Sequence, residues 1–434
     1  MGAAARLATD VDFSGSIIPP EFRLRLRFIF GALVVARIGT YIPVPGFNQH
    51  ALADIFKHHA SDVFGMFNIL SGGSFFRMSV LALGIMPYLL ASAFLQLMII
   101  ASPFSAALTT EGKLGKRKIS QYTRYVTVLL ALLQGFGIAM GLEHMHGSVG
   151  NSAVLDPGMF YRLTTAMTLM GGTMFLVWLG EQISARGFGN GASLIIFSGI
   201  VAGFPSAVEK VLQLARMGSL STELVLYIFL GSITLSAFVV FIERARRRIM
   251  VTYPKRQVGQ TIIGGVSSRL LLKVNESGVT PPIVASSVLL FPLAIAGFSE
   301  GNESSLTMKA IAHLYHSQPL YTWLYMATIV FFSFFYSSKV FNAKDTAGNL
   351  MKYGGFIGGI EPGEKTAEYL DYVLTRLTAI EAIYLAFVCA IPDVLISKYN
   401  LPFYLSGTSI FITVNVLLNF IQRLHSQLIR ERQM

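Results

Sequence analysis

Ala82-Leu83-Gly84-Ile85-Met86-Pro87-Tyr88-Leu89-Leu90 opens an apolar run that continues to Ala101, and Gly278-Val279-Thr280-Pro281-Pro282-Ile283 opens another that continues to about residue 297. Each run is interrupted near its start by glycine and proline. Proline lacks a backbone donor and its ring clashes with the preceding turn, so a helix is expected to be kinked or loosened at each place. Each run is the second of five in its half of the chain. Prolines are common in membrane helices generally, but interruptions at matching positions of two halves point to inverted repeats with the working site between them. Five is an odd number, so the halves would insert with opposite orientation.

Composition agrees with a membrane solvent. Hydrophobic residues make up 53% and charged residues 13% of the 434 residues, and the mean hydropathy is +0.58. Soluble domains carry about 25% charged residues, and a soluble fold of this size cannot hide so much apolar surface. The apolar residues come in long runs, the pattern of transmembrane helices. Cys389 is the single cysteine; it has no partner for an intrachain disulfide and no metal-ligand spacing around it. It reads as a small buried apolar residue.

Ten spans are expected, at about 23–42, 78–101, 121–142, 159–180, 191–206, 223–242, 277–297, 321–342, 373–392 and 405–422. Arg23, Arg25 and Arg27 precede the first run in the manner of a secretion signal. No small-residue cleavage site follows, so that run is read as a retained helix. The net charge of +11 is unevenly placed. One set of connections holds Lys113–Lys118, Arg124, Arg186, Arg244–Arg248, Arg269, Lys273 and the Lys339–Arg376 group. The other keeps only Lys57, Arg77, Arg162, Lys210, Arg216, Lys309 and Lys398. By the positive-inside bias, both termini are expected in the cytoplasm. The chain then divides into halves 1–206 and 207–434, with two long basic, glycine-rich cytoplasmic loops at about 243–276 and 342–372. Long loops in an economical protein are functional or simply solvated.

Residues 62–76 are mildly apolar and too short to cross a bilayer, which suits a re-entrant segment. A stopper that dips in and can move out has this character. The spans hold few ionisable residues, chiefly Arg37 and Glu381, and no acidic pair, histidine relay or charge ring. No nucleotide-binding glycine loop is present. Glu143-His144-Met145-His146 is a weak metal candidate against the plainer reading of a solvated loop. A conduit, a secondary transporter and a membrane scaffold are the readings in play. The first predicts an apolar constriction and an external engine; the second needs a polar midplane site; the third needs no movable segment.

Several motifs resemble the SecY family over nearly the whole chain. They are Arg37-Ile38-Gly39 with Ile42-Pro43-Val44-Pro45-Gly46; Met66-Phe67-Asn68 with Ser71-Gly72-Gly73; and Ala82–Tyr88. Next come Gly115-Lys116-Arg117-Lys118-Ile119-Ser120-Gln121-Tyr122-Thr123-Arg124-Tyr125, Trp178–Ile183, Gly189-Asn190-Gly191, and Pro402-Phe403-Tyr404 with Gly407-Thr408-Ser409. The resemblance implies an all-α integral membrane protein, its ten transmembrane helices forming two inverted five-helix halves around an hourglass pore. It implies a channel that passes unfolded secretory polypeptides and releases apolar segments sideways into lipid, with no catalytic residue, metal or cofactor. The implied pore ring is Ile85, Leu89, Ala192, Ile196, Ile283 and Ile412. The implied plug holds Phe67, Asn68, Ser71, Gly72, Gly73 and Ser74, and the lateral gate Leu90, Gln96 and Phe291. Cytoplasmic docking falls on Arg244, Arg246, Arg247, Arg248, Lys255, Arg256 and Glu361.

Implied partners are SecE-type and SecG-type small membrane subunits, a SecA-type motor ATPase, the ribosome, signal-bearing preproteins and the lipid bilayer, with no direct nucleic acid sequence recognition. The implied location is the bacterial inner membrane. Departures concentrate in the loops: Gly259-Gln260-Thr261 stands where the family has an arginine pair, and Glu361 where it has an arginine before Pro-Gly. Glu381 occupies a position that is usually small.

Overall fold

Helices form on the apolar runs, and their ends show where the sequence stops paying attention to lipid alone. A computed structural model describes residues 20–52, 68, 71–101, 113–144, 152–253, 256–258, 261–263, 267–296, 319–399 and 407–433. Among these, the first half contributes α1 (Pro20–Gly39), α2 (Met86–Ala101), α3 (Lys113–His144), α4 (Met159–Arg186) and α5 (Gly191–Arg216). The second contributes α6 (Thr222–Arg244), α7 (Thr280–Ala296), α8 (Pro319–Val340), α9 (Ala343–Lys352), α10 (Glu364–Tyr399) and α11 (Gly407–Gln433). Apart from α9, these helices lie on the ten expected spans. Segments within α3, α4, α5, α6 and α10, together with Leu320–Lys352, are long and apolar enough to cross a membrane, and α2 and α7 contain shorter apolar helices. The chain is a multi-span all-α membrane protein.

Four expectations change in detail. The second span was placed at 78–101, but its helix starts at Met86, and residues 71–85 form turns. Pro87, Pro281 and Pro282 therefore sit in first turns and kink nothing, because the N–H they lack would have had no partner there. A glycine in the left-handed region precedes each start: Gly84 at φ 58° and Gly278 at φ 68°. The fifth span is not short, since α5 runs through Pro205 to Arg216. A proline inside a membrane helix is tolerated where neighbours satisfy the freed carbonyl. The half boundary at 206 thus falls inside a helix, and the first turn that can divide the chain is Met217–Ser221.

The fourth change concerns the long loops, which are not irregular. β1 (Arg246–Thr252) pairs antiparallel with β4 (Ser267–Lys273), from Arg246 opposite Lys273 to Thr252 opposite Ser267. β2 (Arg256–Val258) and β3 (Thr261–Ile263) form a second, two-stranded ladder. β5 (Phe356–Ile357), from the other long loop, adds to the far edge of β1. Ile249 and Val251 alternate inward along β1 and pack with Leu272, Ala347, Ile357 and Leu370 in one buried cluster. The two loops are one body with its own core.

Candidate pore and gate

Four isoleucines from four separate parts of the chain meet in one buried cluster. Ile85 immediately precedes α2, Ile196 lies on α5, Ile283 in the first turn of α7 and Ile412 on α11. Their exposures are 3%, 2%, 3% and 0%. Leu89 and Ala192 pack against this cluster while staying partly exposed. Ala192 is in the first turn of α5, where the Asn190 side chain accepts from its backbone N–H at 3.1 Å. Gly191 beside it touches the backbone of Gly180, so α4 and α5 meet without a side chain between them. Ile195, Ile200 and Val416 belong to the same cluster. Sequence reading did not single them out; as aliphatic helix residues they carry no mark beyond their type.

Beside the cluster, the turn segment is knotted by Asn68. Its side-chain oxygen accepts from Phe76 N at 3.0 Å and its carbonyl from Gly73 N at 2.6 Å. The Ser74 hydroxyl lies 2.8 and 2.9 Å from the carbonyls of Ser71 and Leu81. Arg37, near the end of α1, donates to the Gly72 carbonyl. Gly72 has φ 71°, and a Cβ built on it would lie 2.9 Å from the Gly199 Cα of α5. Val80 N donates to Ile42 O at 2.9 Å, which ties the return of the segment to the chain after α1. A cavity of about 30 Å³, lined by Arg37, Ser71, Gly84, Ile85 and Ile196, separates the knot from the isoleucines. That is room for a water or two. Phe67 lies outside the described residues.

The seam between α2 and α7 is soft. The Ser287 hydroxyl of α7 donates to Ile283 O of its own helix at 2.8 Å and lies 3.7 Å from the Met86 sulfur, and the remaining contact among the described residues is apolar. Leu90 is buried. Gln96 donates to Ser92 on its own helix at 3.1 Å. The Phe291 side chain lies outside the described residues.

On the loop body, Arg244, Arg246, Arg247 and Arg248 are all exposed. Lys255 and the Arg256 side chain lie outside the described residues. Glu361 is 2.9 Å from Lys365, with side chains 74% and 64% exposed. Two further pairs bind neighbouring helices. Arg124 of α3 forks onto Glu181 of α4 at 2.7 to 3.1 Å. Glu143 at the end of α3 takes Arg162 Nε at 2.8 Å and Gly158 N at 3.0 Å. Its side chain is 5% exposed. Glu143 is therefore a packed helix-end residue, contrary to the expectation of a solvated loop, and its charge is already engaged.

A buried isoleucine cluster with a hydrogen-bonded turn segment beside it, set in a multi-span helical fold, defines a polytopic membrane protein. The fold matches the solved structure titled "The structure of a protein conducting channel" at TM-score 0.66 and 16% identity, over 98% of this chain and 97% of that one. A second, "Sec61 in the Canine ribosome-channel complex from the endoplasmic reticulum", matches at 0.62 and 15%, over 98% and 97%. At such identities the likeness concerns the fold. The sequence pattern of the SecY family matches residues 79–421. The protein translocase subunit SecY of Rickettsia conorii is 48% identical over 93% of this chain and 93% of its own. The Escherichia coli K12 subunit of the same name is 46% identical, over 94% and 91%. The chain belongs to the SecY family.

Proposed function

We propose that the chain is the pore subunit of a protein translocase, passing unfolded polypeptides across a bilayer and releasing apolar segments sideways between α2 and α7. The carrying observation is the single buried cluster in which Ile85, Ile196, Ile283 and Ile412 converge from distant parts of the chain. An aliphatic constriction dewets when empty and resists ions, yet offers a sliding polypeptide no fixed polar partner. Leu89 and Ala192 complete this ring. Asn68, Ser71, Gly72, Gly73 and Ser74, with Phe67, act as the plug, and Leu90, Gln96 and Phe291 face the lateral gate. The halves are two five-helix units of opposite orientation that meet in the Met217–Ser221 turn. Removal of apolar surface from water, at about 25 cal/mol per Å², drives a signal segment through the seam into lipid.

The engine is external: a motor ATPase or the ribosome on the cytoplasmic face, docking on Arg244, Arg246, Arg247, Arg248, Lys255, Arg256 and the Glu361 turn, with small membrane subunits completing the complex. The SecY family is a channel family, not an enzyme family. The positive-inside bias supports cytoplasmic termini, and bacterial relatives at 46–48% identity support the inner membrane.

A photo-cross-linker at Ile283, compared with one at exposed Phe241 on α6 in native membranes, tests the reading. A stalled secretory chain should be captured at Ile283 and not at Phe241. Equal, weak capture at both with the chain confirmed engaged would remove the pore assignment.

A further inference from the structure

Glu381 has no part in the constriction, the turn segment or the docking surface. It lies on α10 and is fully buried, one of the few ionisable side chains within the spans. Its carboxylate accepts from the Ser277 hydroxyl and from the backbone N–H of Glu276 at 3.3 Å. A second carboxylate holds the same stretch from another side. Glu243, at the end of α6, accepts from Asn275 Nδ2 at 2.6 Å and from Asn415 Nδ2 of α11 at 2.7 Å. Asn275 in turn accepts from the Gly278 N–H through Oδ1 at 2.7 Å. The five residues before α7 are thus fastened to α6 and α10, and through Glu243 to α11.

Immediately beyond the fastening, Gly278 adopts φ 68° and α7 begins at Thr280. From there the grip changes in kind. Against α2, α7 offers apolar packing around Ile283 and the weak Ser287–Met86 contact. Hydrogen bonds to a buried carboxyl group are costly to break, because releasing one leaves an unpaired polar group inside the protein. Thioether and apolar contacts re-form easily after sliding. One end of α7 is therefore pinned and the remainder is free to part from α2.

We propose that Glu381 is a positioning residue: it pins the start of α7 to α10 and so fixes the pivot from which α7 leaves α2. It sets how apolar a segment must be to open the seam. This rests on the channel reading above. Without the pin, α7 would stray from its seat and the seam would open to weaker signals.

The experiment uses the complete complex in native membranes and two preproteins, one with an intact apolar signal and one with a lysine inserted into that signal. The readout is the ratio of defective to intact preprotein exported. Glu381→Ala and Ser277→Ala should each raise the ratio roughly tenfold, the shift produced by losing one hydrogen bond to a charged acceptor. The double variant should exceed neither single one by much. Glu381→Gln, which keeps the size and one acceptor oxygen, should fall between. Leu385→Ala, which empties apolar volume on the same helix, controls for loosening. An equal rise in that control overturns the proposal, as does an unchanged ratio in channels assembled to normal amounts. Should Glu381→Ala fail to assemble, Ser277→Ala, which removes only a hydroxyl, decides by the same criterion. Failure of the unaltered chain to export the intact preprotein would instead overturn the channel reading itself.

Discussion

The guanidinium of Arg37 donates a hydrogen bond to the main-chain carbonyl of Gly72, so α1 holds the turn segment by its backbone. The contact depends on a residue without a side chain, because Gly72 sits against Gly199 in a left-handed conformation. Arg37→Ala should release the segment, and the idle complex in a planar bilayer should conduct ions that the unaltered one excludes. Gly72→Ala should do the same by another route. The left-handed conformation costs an L-residue about 1–2 kcal/mol, and the two backbones must also separate.

Substitutions at the isoleucine cluster separate packing from sealing. Ile412→Ala should destabilise the purified complex by about 2–5 kcal/mol, through lost burial and the cavity left behind. Ile412→Val should cost only about 0.5–1.5 kcal/mol. Ile283→Asn keeps the number of side-chain heavy atoms but gives water a partner. It should raise ion leakage beyond either change at Ile412, as read by bilayer conductance and thermal unfolding side by side.

Arg162→Ala should be among the more damaging changes outside the pore. It strands the Glu143 carboxylate, which is nearly inaccessible and left with the Gly158 N–H as its described remaining donor. Removing the charged partner of a nearly inaccessible carboxylate is destabilising. The double variant Arg162→Ala/Glu143→Ala should recover part of this, because no charge is then left uncompensated. The thermal midpoint of the detergent-purified complex reads both.

Glu361 and Lys365 form an exposed pair one helical turn apart. Such a pair is worth about 0–1 kcal/mol, so Glu361→Arg should leave stability unchanged. It adds positive charge to a surface proposed to receive the ribosome or a motor ATPase. Ribosome affinity should rise at low salt, and the gain should shrink as ionic strength increases and the Debye length falls toward about 8 Å. Sedimentation binding at two salt concentrations checks it.

Every expected span falls on a helix, but hydropathy measures bilayer thickness, not helix length. Hence α3 starts at Lys113, α10 at Glu364, and α11 continues to Gln433, each with a polar extension beyond its apolar run. The fifth span was expected to end at about residue 206, whereas α5 continues through Pro205 to Arg216. The kinks expected at Pro87 and Pro281 became helix starts because Gly84 and Gly278 turn the chain just before them. The sheet built from the long loops was not anticipated. Ile249 and Val251 alternate inward with period two, but β5 comes from a segment about a hundred residues later, and no local pattern announces that pairing. Of the proposed site, the isoleucines came from family resemblance, since an aliphatic residue facing a constriction looks like one facing a helix. Glu381 was conspicuous as a buried charge, and only the folded chain shows what it holds.

The ladder between β1 and β4 ends at Lys273, and residues 274–279 alone join it to α7. Strands paired over their full length resist bending, and the junction is clamped by Glu243 and Glu381. The strand body and the membrane helix are therefore mechanically in series, like a handle and a shutter. A partner gripping the exposed arginines, as proposed, would apply torque to the seam with little slack to absorb it, which would make docking itself a mechanical event.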